Sequence, residues 1–176
     1  MFIKGFEDLS SLVKRLVALS ICLTSCTYIP AQDVTYGSPI EETVIKDCIG
    51  RDVVLPVKNS VTVLLFFNIE NPLHVSYLSE LNFLYENLSA AKSRVTMVAI
   101  TRGDNKTLLS LSEKYSTDFL FINDKETSIS KRYQASCGGC SKLVLVDKSS
   151  KVRYATSQFD LLFLREIINR YISKVQ

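Results

Sequence analysis

Two cysteines separated by two glycines, Cys137-Gly138-Gly139-Cys140, stand just before the apolar run Leu143–Asp147. A Cys-x-x-Cys pair can close a small disulfide ring, hold a metal ion or carry out thiol exchange. The two glycines lack a Cβ, so the backbone can turn tightly enough to bring the sulfurs together. The pair lies late in the chain, at the start of a predicted strand, whereas most redox motifs of this type sit early, on the first long helix. His74, the single histidine of the 176 residues, is the other side chain able to move protons near neutral pH. Catalytic candidates are therefore Cys137, Cys140 and His74.

Three chemistries compete for these residues. Thiol–disulfide exchange would use Cys137 as attacker and Cys140 to resolve the mixed disulfide. A structural disulfide would only stiffen a loop. Metal binding would draw on two Cys and one His, which is one ligand short of the usual closed zinc site, although copper(I) accepts fewer and softer ligands. No metal site and no cofactor is assigned. Each residue also has a plainer reading: His74 as a helix-surface residue, Cys48 as a small packed side chain, and Tyr77, Phe83 and Tyr85 as core or surface positions of a helix.

The chain start supplies a compartment. Lys14 and Arg15 precede the apolar stretch Leu16–Leu23, which is too short to span a bilayer and has the shape of a secretory h-region. It ends in Leu23-Thr24-Ser25-Cys26, which resembles a bacterial lipobox. An ordinary signal peptide or an uncleaved anchor is the competing reading. The resemblance implies lipidation at Cys26 and an anchor to a membrane of the bacterial cell envelope, without spanning it. The expected organisation is a signal peptide over 1–25, a polar tether over 26–42, and one domain over 43–176. Cys48, Cys137 and Cys140 then remain in a compartment that permits disulfides. With 21 Lys and Arg against 18 Asp and Glu, and no basic cluster on any element, nucleic acid is excluded as a partner. The expected partners are the membrane, through the lipid, and a protein carrying a thiol or disulfide.

The elements that must position these residues follow from hydrophobic periodicity. Val44–Cys48 and Val53–Leu55 flank Gly50-Arg51 as a short hairpin. Val61–Phe67 and Val95–Thr101 are continuous apolar runs that suit strands buried on both faces. Asn71-Pro72 reads as a helix cap followed by the first helical position, opening a helix over Pro72–Ala90 with Leu78, Leu81, Leu84 and Leu88 at helical spacing. Asn105–Tyr115 is a second helix, Phe119–Ile122 a short strand, and Lys125–Tyr133 a short helix or turn. Leu143–Asp147 and Val152–Thr156 form a closing hairpin. A last amphipathic helix carries Leu161, Leu164, Ile168 and Ile172 on one face. Alternating strands and helices predict an α/β fold with helices on both faces of a central mixed sheet.

This order, with its N-terminal β-hairpin, resembles a thioredoxin-like fold, and several stretches resemble its redoxin branch, the TlpA-like envelope thioredoxins and the peroxiredoxins. Asp47-Cys48-Ile49-Gly50-Arg51-Asp52-Val53-Val54-Leu55 is similar to the opening hairpin. Val61–Phe67 is similar to the strand leading into the active site, and Ser79-Glu80-Leu81 to the segment after the active-site cysteines. Leu143–Asp147 followed by Lys151-Val152-Arg153 is similar to the closing hairpin. The chain departs from the pattern twice. Counted back from Glu80, the family cysteines fall on His74 and Tyr77; counted forward from Phe67, they fall about two residues earlier, and neither register finds a thiol. The cis-proline position falls on Ser141, whose peptide is expected to be trans. The resemblance implies that the loop before the closing hairpin faces the N-terminus of the first long helix. Cys137 and Cys140 would then approach the usual cleft from its opposite wall. The partial positive charge of that helix start would favour a thiolate and a neutral His74 able to accept a proton.

Overall fold

The computed structural model describes residues 34–88, 94–115, 119–135, 141–158 and 160–173. They lie within one compact unit, residues 31–176. Cys26, Cys137 and Cys140 fall outside the described residues.

A five-stranded mixed sheet forms the centre. In chain order the elements are β1 (Thr43–Lys46), β2 (Asp52–Leu55), β3 (Val61–Phe66), α1 (Pro72–Glu86), β4 (Val95–Thr101), α2 (Asn105–Tyr115), β5 (Leu120–Asn123), α3 (Ser128–Arg132), β6 (Lys142–Val146), β7 (Val152–Thr156) and α4 (Leu161–Ser173). The sheet runs β5-β4-β3-β6-β7, and β1 and β2 form a separate antiparallel hairpin. β3, β4 and β5 are parallel, whereas β6 and β7 are antiparallel to their neighbours. Every residue of β3 is buried, which its central place requires.

The period-2 alternation of side chains splits the core cleanly. Odd-numbered strand residues, including Val63, Leu65, Met97, Ala99, Leu143 and Leu145, pack with Leu78, Leu81 and Leu84 of α1 and Leu164 and Ile168 of α4. Even-numbered ones, including Leu64, Phe66, Val98, Ile100, Val144 and Val146, pack with Leu55, Ile129 and Tyr133. A one-residue slip in any of these strands would exchange the two sets.

Residues 34–42, the described part of the expected tether, pack onto the domain. Val34 and Ile40 are buried. Gly37 and Ile40 donate backbone hydrogen bonds to Val152 and Ser150, and Val152 returns one to Ser38. The Arg153 guanidinium lies over the rings of Tyr36 and Tyr171, at 5.6 and 5.3 Å. Further on, Cys48 N–H donates to Phe121 O at 2.8 Å, so the same stretch also lines β5. Both open edges of the sheet are thereby partly covered.

β1 stops at Lys46, two residues before its expected end, because Asp47 folds the chain back. Its carboxylate accepts the N–H groups of Ile49 and Arg51 and the Arg51 guanidinium. Asp147 does the same in the β6–β7 turn, taking Ser149, Lys151 and Arg153. Burial opposes ionisation at both carboxyls, but these donors outweigh it and hold both below the ordinary Asp value. α1 ends at Glu86, short of Ala90. There the Asn87 backbone N–H is shared between Phe83 O and Leu84 O, and its side chain also donates to Phe83 O.

Candidate functional site

The parallel strands β3, β4 and β5 all end on one side of the sheet, and β6 begins there, with Lys142 in register with Phe66. In open α/β sheets, chemistry gathers outside the carboxyl ends of the parallel strands. Two walls rise at this end: the start of α1, and the segment from α3 into β6.

The first wall is built by Asn68, Asn71 and His74. The Asn71 side chain accepts from Leu73 N–H at 3.0 Å, which caps α1, and Pro72 takes the first helical position. Asn68 Oδ1 accepts from Glu70 N–H at 2.9 Å. His74 is 6 % exposed, buried and not on the helix surface. It turns inward because its Nδ1 accepts the Asn68 backbone N–H at 3.2 Å and its ring stacks against Tyr77, 6.0 Å between centroids. That bond uses the Nδ1 lone pair, as in the tautomer with the proton on Nε2. No described cysteine lies on α1.

The second wall leads to and from the Cys-Gly-Gly-Cys motif. α3 ends in a Schellman-type turn: Gln134 is left-handed at φ +50°, its N–H bonds Lys131 O, and Ala135 N–H bonds Ser130 O at 2.7 Å. Tyr133, at the cap, is buried with its ring 5.5 Å from that of Phe66, and burial pushes its phenol up to about 12. Lys142, the first residue of β6, sends its ammonium to Tyr133 O at 2.9 Å and Gln134 O at 3.2 Å. Ala135 and Ser141, the described residues on either side of the motif, are both buried. The peptide joining Cys140 to Ser141 falls outside the described residues. Among the described residues, Leu55–Pro56 is a cis peptide bond.

Cys48 sits apart from both walls, buried in the core that faces α1 and α4. Burial and the nearby Asp47 charge push its thiol up, which suits a packed residue and not a nucleophile. Among the described residues no cluster of three or more His, Cys, Asp or Glu could hold a metal ion. The two-Cys, one-His set weighed from the sequence has only His74 within them. Among the described residues no helix is long and apolar enough to cross a membrane.

Three features of this end were not singled out from the sequence. One is Asn68, whose backbone fixes His74; the Asn68-Ile-Glu-Asn71-Pro72 run was the available signal. Another is Lys142, a lone cation opening an otherwise apolar strand. The third is Thr101 at the carboxyl end of β4, whose buried hydroxyl has no hydrogen-bond partner among the described residues. An unpaired buried hydroxyl costs roughly 1–3 kcal/mol.

No family model matches the sequence, and a search of curated proteins finds no match. Solved structures do match. A candidate protein disulfide isomerase from Bacteroides thetaiotaomicron superposes with a TM-score of 0.69 at 16% identity, over 80% of this chain and 91% of that one. A secreted disulfide oxidoreductase of Mycobacterium tuberculosis, homologous to E. coli DsbE, gives 0.60 at 19% identity over 73% and 95%. A peroxiredoxin-like protein from Aquifex aeolicus gives 0.65 at 11% identity over 81% and 89%. At these identities the likeness establishes the fold: thioredoxin-like, in the redoxin arrangement with an N-terminal hairpin.

Proposed function

We propose that this protein is a lipid-anchored, thioredoxin-like protein of the bacterial envelope that carries out thiol–disulfide exchange through Cys137 and Cys140. The observation that supports this most is positional. Ala135 and Ser141, which bracket the motif, belong to the sheet end where β3 gives way to α1, and that end is where a fold of this kind gathers its chemistry. Neighbours of the same fold include a secreted disulfide oxidoreductase and the Chromobacterium violaceum thiol peroxidase.

In the reducing direction the Cys137 thiolate attacks one sulfur of a substrate disulfide, forming a mixed disulfide and releasing the other sulfur as thiolate. The Cys140 thiolate then attacks Cys137, freeing the second substrate thiol and leaving Cys137–Cys140 oxidised. Two electrons pass from the pair to the substrate, and a dithiol donor must return them. His74 contributes to the opposite wall. Its Nδ1 accepts the Asn68 N–H, which holds the ring in place at the start of α1.

The deciding experiment is the reduction potential of the pair, measured by dithiothreitol or glutathione titration with mass-tagging of free thiols. The expected value lies in the range of oxidoreductases, roughly −120 to −270 mV. A value below about −300 mV describes a structural disulfide and removes the reading. The start of α1, capped and without thiols, favours a second reading: a binding module that keeps the fold and has given up the chemistry. That reading expects partner binding to survive replacement of both cysteines by Ser.

A further inference from the structure

We infer that the corner of the domain formed by Tyr36, the β6–β7 turn and the last turn of α4 is a docking surface for an anionic lipid bilayer, the one that carries the anchor. The inference rests on the lipid-anchor reading above and adds to it an orientation of the domain.

The argument starts from chain length. With residues 34–42 packed onto the domain, Cys26 and Val34 are eight residues apart, a stretch that spans at most about 29 Å fully extended. A domain of this size is roughly 40 Å across. An anchor at Cys26 therefore keeps the place where the chain joins the domain close to the membrane. That place lies beside β7: Val34 is buried, Gly37 N–H donates to Val152 O, and Tyr36 lies against the Arg153 guanidinium.

Three elements gather cations there. Lys151 pairs in register with Pro39, and Lys148 stands in the same turn. Arg170 lies in the last turn of α4, next to Tyr171, whose hydroxyl is 3.2 Å from that of Tyr36. The neighbouring carboxylates are already answered: Asp147 by Arg153, Glu41 by Arg132 and Glu42 by Lys58. Glu166, one turn earlier on α4, is exposed and subtracts one charge. Lys148, Lys151 and Arg170 form no ion pair among the described residues, so their charge is available to an outside partner. Tyr36 adds a ring that is 71 % exposed yet steadied by the guanidinium beside it. Such a ring suits the headgroup layer, where one part meets apolar chains and the hydroxyl meets water. Each Lys or Arg near an anionic leaflet raises the docked population about fivefold. Screening confines that gain to within about 10 Å of the surface, a distance the short tether allows this corner to reach.

The docked orientation bears on function. β6 starts beside the end of β3 and runs antiparallel to it, so the β6–β7 turn lies at the end of the sheet opposite the candidate site. Seating that turn on the headgroups points the candidate site away from the membrane, toward soluble partners.

The test uses the full chain, which contains no tryptophan. Tyr36→Trp reports from the corner. Leu162→Trp reports from an exposed position at the start of α4, on the end of the candidate site. Each is reconstituted with vesicles of phosphatidylcholine alone, or of phosphatidylcholine and phosphatidylglycerol in equal parts, both containing a lipid with a nitroxide quencher on its headgroup. In the anionic vesicles, quenching at position 36 is expected to exceed that at position 162 roughly threefold or more. It should fall to the level of the neutral vesicles at about 0.5 M salt, and likewise when Lys148→Gln, Lys151→Gln and Arg170→Gln are combined. The salt series on the unaltered charges answers the question if the triple variant fails to fold. Equal quenching at the two positions, or quenching at position 36 that salt leaves unchanged, would overturn the inference. Co-flotation with the neutral vesicles reads the anchor separately: its absence removes the lipid reading, while the difference between neutral and anionic vesicles still decides the surface.

Discussion

The two walls at the carboxyl end of the sheet are built by opposite rules. At the start of α1 each polar group named is answered locally: Asn71 by Leu73 N–H, Asn68 Oδ1 by Glu70 N–H, and Asn68 N–H by the His74 ring. Its residues suit stability, with a capped helix and a buried imidazole. Across from it, the segment from α3 into β6 is tied between its own two ends. It has a non-glycine residue at positive φ, two carbonyls at the end of α3 held by the lysine that opens β6, and two cysteines between them in sequence. On the exchange reading proposed above, the first wall is scaffold and the second supplies the reactive atoms. Thioredoxin-like architecture fixes where chemistry can occur, but not which wall supplies the thiols.

The largest expected effect on this contrast comes from His74. His74→Ala removes the Tyr77 stacking partner and leaves the Asn68 N–H unpaired, at a cost of about 2–3 kcal/mol in unfolding free energy. His74→Asn, whose carbonyl can reach the Nδ1 position, is expected to recover part of that loss in chemical denaturation. Exchange rates at fixed folded fraction should change less than about threefold, with an unaltered pH profile. A tenfold or greater loss of rate in a stably folded His74→Asn protein would put His74 in the chemistry and erase the difference between the walls.

Much of this was legible in the sequence, and the limits have physical causes. The buried runs Val61–Phe67 and Val95–Thr101 announced the central strands because nothing else explains so many apolar residues in succession. Asn71-Pro72 announced the start of α1 because cap chemistry is local. Fold class followed from element order. What stayed hidden depends on pairing across the sheet. The packing of Val34–Ile40 requires the edge of β7, which a polar stretch with Pro30, Gly37 and Pro39 does not reveal. The inward turn of His74 requires the backbone of Asn68, six residues earlier. Lys142 looks like a solvated charge until β6 is set beside β3. The candidate thiols were the easiest residues to find, since spacing alone marks a Cys-x-x-Cys pair, and their role was the hardest to read, because reactivity depends on surroundings contributed by other elements.

Asn71 tests whether the first wall acts on the second through its dipole. Asn71→Ala removes the cap and is expected to cost about 1 kcal/mol, read from denaturation midpoints. Asn71→Asp keeps the cap and adds a negative charge at the positive end of the helix, so stability should hold or rise by a few tenths of a kcal/mol. If that end of α1 helps to hold a thiolate at Cys137, the same substitution should raise the alkylation midpoint of the pair. An unchanged midpoint would make the first wall purely structural.

The smallest effect is expected at Gln134. Its φ of +50° places an ordinary side chain in the region where helices usually end in glycine. Two terms oppose each other in Gln134→Gly. Glycine relieves the left-handed strain, but it also gives the unfolded chain more freedom to lose on folding. The strain term is the larger at a position of this kind, so a net gain of about 0.5 kcal/mol is expected, visible as a slightly higher denaturation midpoint. The Gln134 carbonyl that accepts from Lys142 is backbone and survives the change, so the clamp and the reduction potential of the pair should stay as they are. A potential that moved with this substitution would mean that backbone strain at the turn helps to set the poise of the second wall. The two walls would then differ in how they store energy as well as in which residues they carry.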